Sequence, residues 1–133
     1  MIIKMKRIIL FLTVVLLAAV AVHAQDNEPK GPEIKFGKAV HDFDTIAKDS
    51  DGECWFEFEN TGSEPLIITS AFSSCGCTVP TWPKEPILPG AKNSIKVKYN
   101  TGQTGPFTKV IVVKSNATTN KKAILRIKGV VKE

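Results

Sequence analysis

The residues of this chain best suited to chemistry are its three cysteines, Cys54, Cys75 and Cys77. A thiolate is both a nucleophile and a soft metal ligand, so three uses compete. The first is thiol–disulfide exchange at Cys75-Gly76-Cys77. A bridge across one residue closes a very small ring, and strained, exposed disulfides are the exchangeable ones. The two-residue spacer of thioredoxin-type sites is absent, as is a βαβ pattern. The second use is structural. Cys54 either bridges to Cys75 or Cys77, which needs Cα atoms within about 7 Å, or stays a buried free thiol acting as a small hydrophobe. The third is a metal. Cys54, Cys75, Cys77 and His41 make a Cys₃His set of the kind that holds tetrahedral zinc, and Cys-x-Cys alone suits Cu(I). Against this, His41 is the sole histidine after residue 24, and Cys-x-Cys is poorer zinc spacing than paired Cys-x-x-Cys knuckles. An odd count leaves one thiol over in any pairing. No cofactor is expected.

The remaining candidates are weaker. Asp42 and Asp44 flank Phe43 and read as solvated strand acids, not as an acid–base pair. Asp49-Ser50-Asp51-Gly52 lacks the spacing and terminal Glu of a calcium loop and reads as a turn. Neither a nucleophile elbow nor a glycine-rich phosphate loop is present. A hydrolase is therefore disfavoured and no catalytic residue is assigned. Trp55 breaks the alternation of its strand, and Trp82 and Phe107 lie in turn-rich segments. These three form a candidate binding surface; the alternative for Trp82 is a plug over one end of the fold.

Alternation with period two runs through the elements that must position these groups. Cys54, Phe56 and Phe58 share one face against Glu53, Glu57 and Glu59. Ile95, Val97 and Tyr99 alternate with Lys96 and Lys98, and Leu125 and Ile127 with Arg126 and Lys128. Val110–Val113 is continuously apolar, so its inward face is ambiguous. Further strands are expected near Ile34–Phe36, Val40–Ile46 and Leu66–Phe72. Asn60–Pro65 is a turn cluster, and Pro89-Gly90 suits the centre of a type II turn. Pro83 and Pro86 exclude a central strand there. About seven to eight short strands at roughly ten-residue spacing predict an all-β, antiparallel, immunoglobulin-like sandwich.

The 133 residues suit a single domain. Lys4, Lys6 and Arg7 precede an apolar run from Ile8 to Val22, and Val22-His23-Ala24 ends in small residues. This is the pattern of a cleaved secretory signal over residues 1–24. The apolar run is shorter than the roughly 20 residues of a spanning helix, so no integral membrane segment is expected after cleavage. Residues 25–32 read as a flexible tether and 33–132 as the sandwich. The net charge of +5 falls to +2 once the three leader cations and no acids are removed. Nucleic-acid binding loses its main support. The expected location is the periplasm, the cell envelope or the extracellular space, where cysteines pair by default.

His41-Asp42-Phe43, Phe58-Glu59-Asn60-Thr61-Gly62, Ser74-Cys75-Gly76-Cys77-Thr78, Ile87-Leu88-Pro89-Gly90, Gly105-Pro106-Phe107, Ser115-Asn116 and Ile127-Lys128-Gly129 occur in that order. The series resembles the bacterial exported family called domain of unknown function 1573, itself similar to Hydin-type and major-sperm-protein-like sandwiches. The resemblance spans about Ile34 to Val131. It implies an exported sandwich with a Cys75/Cys77 pair and no assigned activity. Asp44 stands where the family often has Gly, and Cys54 is no part of its motif, which weakens a Cys54 bridge or a three-thiol metal site. The expected function is a non-enzymatic binding or envelope-associated module for a protein or envelope component. Its surface is a sheet edge or the Cys75–Trp82 end. The alternative is thiol–disulfide or metal handling at Cys75 and Cys77.

Overall fold

The computed structural model describes residues 30–133. The expected leader, 1–24, and residues 25–29 of the expected tether lie outside them. Eight strands follow: β1 (Ile34–Phe36), β2 (Val40–Ala47), β3 (Glu53–Asn60), β4 (Ile68–Ser73), β5 (Thr78–Thr81), β6 (Lys92–Tyr99), β7 (Gly105–Ser115) and β8 (Lys122–Lys132). They form two four-stranded sheets, ordered β1-β3-β6-β5 and β2-β8-β7-β4; these are called sheets A and B below. The sandwich forms because alternation gives each sheet one apolar face to bury. Sheet A contributes Phe56, Ile95 and Val97, and sheet B contributes Ile111, Val113, Leu125 and Ile127, all fully or almost fully buried. In the ambiguous run, Ile111 and Val113 face inward, while Val110 stays exposed.

Two features depart from the antiparallel expectation. β2 pairs with β8 in parallel, with a register shift between Asp42 and Thr45. β5 was not anticipated, because Pro80 lies inside it. It pairs only with β6, and an edge strand tolerates proline where the missing donor would face solvent. The shift in β2 coincides with Asp44, whose φ is 55°. Asp is among the few residues that adopt this left-handed conformation readily. Its backbone N–H also donates to Asp42 Oδ1 over 2.8 Å. The site where Gly is common in the resembling family thus keeps a glycine-like backbone. The Leu88–Ala91 turn is as expected, with Gly90 at φ 78° and Ala91 N–H donating to the Leu88 carbonyl over 2.9 Å.

Asn60 closes one end of the sandwich and is fully buried. Its Oδ1 accepts from the N–H groups of Glu33 (3.3 Å) and Gly62 (2.9 Å). Its Nδ2 donates to the carbonyls of Glu64 (2.7 Å) and Ile87 (2.9 Å). Its backbone N–H and carbonyl engage Ala91 and Gly90. Gly62 must be glycine, since a Cβ there would lie 2.1 Å from the Gly31 carbonyl oxygen. Gly31, placed in the tether by sequence, exchanges hydrogen bonds with Ser63, and the Pro32 carbonyl accepts from Thr118. Gly31 and Pro32 are thus hydrogen-bonded to the sandwich.

Asn60→Ala leaves the buried Glu33 N–H, the part-buried Gly62 N–H and the Glu64 carbonyl without this partner, while the Ile87 carbonyl keeps only the Leu66 N–H. We expect it to lower unfolding free energy by about 3–4 kcal/mol, read as a reduced midpoint in urea. Thr61→Ala, one residue along and exposed, should change it by less than about 0.5 kcal/mol.

Candidate functional site

β4 is an edge of sheet B and β5 an edge of sheet A, so residues 74–77 carry the chain from one sheet to the other. Cys75 and Cys77 form a disulfide at this corner, with Cα atoms 5.2 Å apart. The backbone is fixed independently of the sulfurs. Thr78 N–H donates to the Cys75 carbonyl over 3.2 Å, and Asn100 N–H to the Cys77 carbonyl over 2.8 Å. Cys77 N–H points at Cys75 Sγ, 3.3 Å away. Gly76 is exposed at the tip, and a Cβ there would meet nothing within 4 Å. Gly76 and Cys77 line an open groove of about 650 Å³. Its other walls include Asp49, Asp51, Glu53, Lys98 and Tyr99. Glu53 is ion-paired with Lys96 at 2.9 Å.

The Cys54 bridge considered from sequence does not form. Cys54 faces the core opposite Val97, is 2% exposed, and remains a free thiol. Burial pushes its pKa up to about 11, against a smaller opposing effect of Lys38. The Cys₃His set does not assemble either. Two of its thiols are consumed in the disulfide, and His41 is engaged elsewhere. Lys38 Nζ donates to His41 Nδ1 over 2.9 Å, and the ring stands edge-on to Phe43. Partial burial, then Lys38, lowers the His41 pKa, with Asp42 opposing. Among the described residues, no group of three or more His, Cys, Asp or Glu is placed to hold a metal ion.

The three aromatics of the expected binding surface do not form one patch. Phe107 is 7% exposed and belongs to the core, stacked on Tyr99 at 3.9 Å between ring centroids. Its place in a strand that pairs with β8 turns it inward, a correction to the turn-rich reading. Trp82 is half-buried against the core, with Lys84 Nζ 3.2 Å from its ring centroid. That is the plug. Trp55 alone is open, 51% exposed and opposite Lys96 on the outer face of sheet A.

Sequence reasoning missed the outer face of sheet B. Register places Phe72, Val112 and Ile124 side by side across β4, β7 and β8. Beside them, Val110, Arg126 and Val40 make a second row. Phe72 and Ile124 are each 47% exposed. Lys114 and Lys122 flank the first row, with Lys114 Nζ 5.4 Å from the Phe72 ring centroid. Beyond the second row, Lys128 lies 3.7 Å from Asp42, the one carboxylate in these rows. Ile124, which interrupts polar positions outside Leu125 and Ile127, carried the signal.

Two packed four-stranded sheets define an immunoglobulin-like sandwich. A family model covers residues 34–131, and the chain belongs to that family, described as protein of unknown function (DUF1573). Three solved structures share the fold. A protein of unknown function from Porphyromonas gingivalis superposes with a TM-score of 0.67 at 12% identity, over 82% of this chain and 51% of that one. The ASH / PapD-like domain of human CEP192 gives 0.60 at 10%, over 85% and 96%. The YadV chaperone gives 0.55 at 14%, over 76% and 53%. This chain thus spans about half of the P. gingivalis protein. Among curated proteins, no sequence matches it.

The buried thiol gives a pH signature. A folded pKa of about 11 against an ordinary thiol value of 9.0 means the folded chain holds a proton that the unfolded chain releases first. This contribution is complete below about pH 9 and fades as pH rises through about 11. The stability advantage of the native chain over Cys54→Ala should shrink by up to about 2 kcal/mol between pH 8 and 11. Paired urea titrations at both pH values measure it; a constant difference would show that burial does not hold the proton.

Proposed function

We propose that this chain is an exported, non-enzymatic binding module, and that it docks a protein partner on the outer face of sheet B. The observation that carries this reading is the outward row of exposed Phe72, half-buried Val112 and exposed Ile124 set between Lys114 and Lys122 on one side and Arg126 on the other. Apolar side chains gathered on a flat sheet lose little rotamer freedom on contact and gain from leaving water. Rim cations steer and orient a complementary partner. The occupant is therefore a protein surface with an apolar centre framed by carboxylates. Two further points support it. Solved structures named as chaperones, YadV and Pseudomonas aeruginosa CupB2, share the sandwich. A signal-like residue 1–24 segment and paired cysteines suit an oxidising compartment.

The test uses mature protein beginning at Gln25, immobilised and exposed to cell-envelope extract, then treated with a zero-length carbodiimide that joins amines to carboxylates. A partner held on this face should couple through Lys114 or Lys122 to its Asp or Glu side chains. Ile124→Glu with Lys114→Glu should abolish that coupling at unchanged urea midpoint. Glu57→Lys on the outer face of sheet A should leave it intact. Equal capture by all three proteins, or coupling elsewhere, would overturn this docking face.

A further inference from the structure

The sheet B face makes no use of the corner disulfide, whose surroundings are not symmetric. Cys77 lines the open groove and Cys75 does not. A thiolate entering along the groove therefore reaches Cys77 before Cys75, although the Cys77 side chain also packs against the core and its Sγ lies 3.7 Å from Thr78 Oγ1. The electron pair of the broken bond then moves to Cys75 Sγ, where Cys77 N–H already points. An N–H donor stabilises negative charge on sulfur more than it does the neutral disulfide. The corner does not depend on the bond it would lose, since the Thr78 and Asn100 N–H groups hold both carbonyls. Gly76 leaves the tip unobstructed. Cys54, buried in the core, does not compete.

The groove also selects by charge. Asp49, Asp51 and Glu53 line it together with Lys98, the cross-strand neighbour of Glu53, and Glu53 already has Lys96 as a partner. The balance is negative, so the field favours a cationic thiol carrier over an anionic one.

We propose that Cys75–Cys77 is a thiol–disulfide exchange site of fixed polarity, in which Cys77 accepts the incoming thiolate, Cys75 leaves, and the partner is a dithiol on a cationic segment. In the first step the partner thiolate forms a bond to Cys77 Sγ, the Cys77–Cys75 bond breaks, and Cys75 departs as thiolate. In the second, the partner's other thiolate attacks its own sulfur in the mixed disulfide and releases Cys77 as thiolate. The partner dithiol is oxidised to a disulfide and the chain is reduced to two thiols. The two protons lost by the partner end on Cys75 and Cys77. This reading is independent of the sheet B face, and its test involves no docking partner.

Mature protein with its disulfide intact is treated with cysteamine, 2-mercaptoethanol and 3-mercaptopropionate at equal thiolate concentration and low salt. Acid quenching at early times, alkylation and peptide mass mapping then locate the adduct. The expected result is adduct on Cys77 with Cys75 alkylated. Rates should fall in the order cationic, neutral, anionic, with roughly fivefold or more between the extremes. That spread should collapse in 1 M salt and in Asp49→Asn with Asp51→Asn, while the position of the adduct stays the same. Adduct on Cys75, or on both sulfurs equally, would overturn the polarity. Equal rates for the three thiols would overturn the cationic partner. Reduction no faster than global unfolding, measured by exchange of the core amides of β7 and β8, would overturn the site itself.

Discussion

Asn60 is the group on which the rest of this sandwich is arranged. A buried amide is tolerable only when its two lone pairs and two N–H bonds are all engaged, and here each finds a backbone partner. Those partners come from the chain entering β1, the turn after β3 and the Ile87 segment before β6. Backbone pairing there is sparse, a Leu66–Ile87 bridge and the Thr61 N–H to Glu33 carbonyl bond, and the hydrogen bonds of this one side chain tie these segments together. The cost of leaving any of them open in a dry interior makes the arrangement cooperative. The other end of β3 lies about 23 Å away at strand rise. There Glu53 lines the groove beside Cys77. The molecule thus has one end closed by satisfied polar groups and another that is open and bears the Cys75–Cys77 disulfide.

The contrast between the two outer faces follows from pairing. On sheet A, Glu59 stands between Lys35 and Lys92, and Glu53 opposes Lys98 while its carboxylate pairs with Lys96. Charges there are neutralised by neighbours across strands, which leaves Trp55 isolated in a polar field. On sheet B the outward positions of β7 and β8 are apolar or cationic apart from Thr108, and Asp42 and Asp44 are the acids beside them. The edges compete poorly as docking sites. β1 has three residues, β5 four including Pro80, and β2 and β4 both carry register shifts. These are the devices by which natural sheets discourage strand addition. These features favour the face over an edge in the docking proposed above.

Much of this was legible in the residues because burial on one face writes itself as period two. β3, β6 and β8 were readable for that reason, as were the Asn60 and Pro89-Gly90 turns. What escaped was non-local. The parallel β2–β8 pairing joins segments some 80 residues apart and leaves no periodic trace. β5 was hidden by Pro80, whose tolerance depends on an edge position that only topology supplies. Phe107 looked exposed because Gly105-Pro106 reads as a turn, whereas the long β7–β8 hairpin carries it into the core. The sulfur site was legible in composition but not in pairing: Cys54 sits on the alternating apolar face, and that face is what removes it from the chemistry.

The position of the disulfide separates stability from use. Cross-links stabilise mainly by shortening the unfolded chain's freedom, and the effect grows with the loop they close. A loop of three residues gives about 1.5 kcal/mol on that account, less than the Asn60 network contributes. The corner it spans is already held by Thr78, Asn100 and the β5–β6 ladder. As a staple, a bridge from the buried Cys54 to either partner would have closed more than twenty residues and restrained far more of the chain. The fold instead keeps Cys54 reduced in the core and places its one covalent link at an exposed strand switch beside an acidic groove. A bond so placed, half-buried beneath an exposed Gly76, adds little to the sandwich, as the exchange proposed above requires.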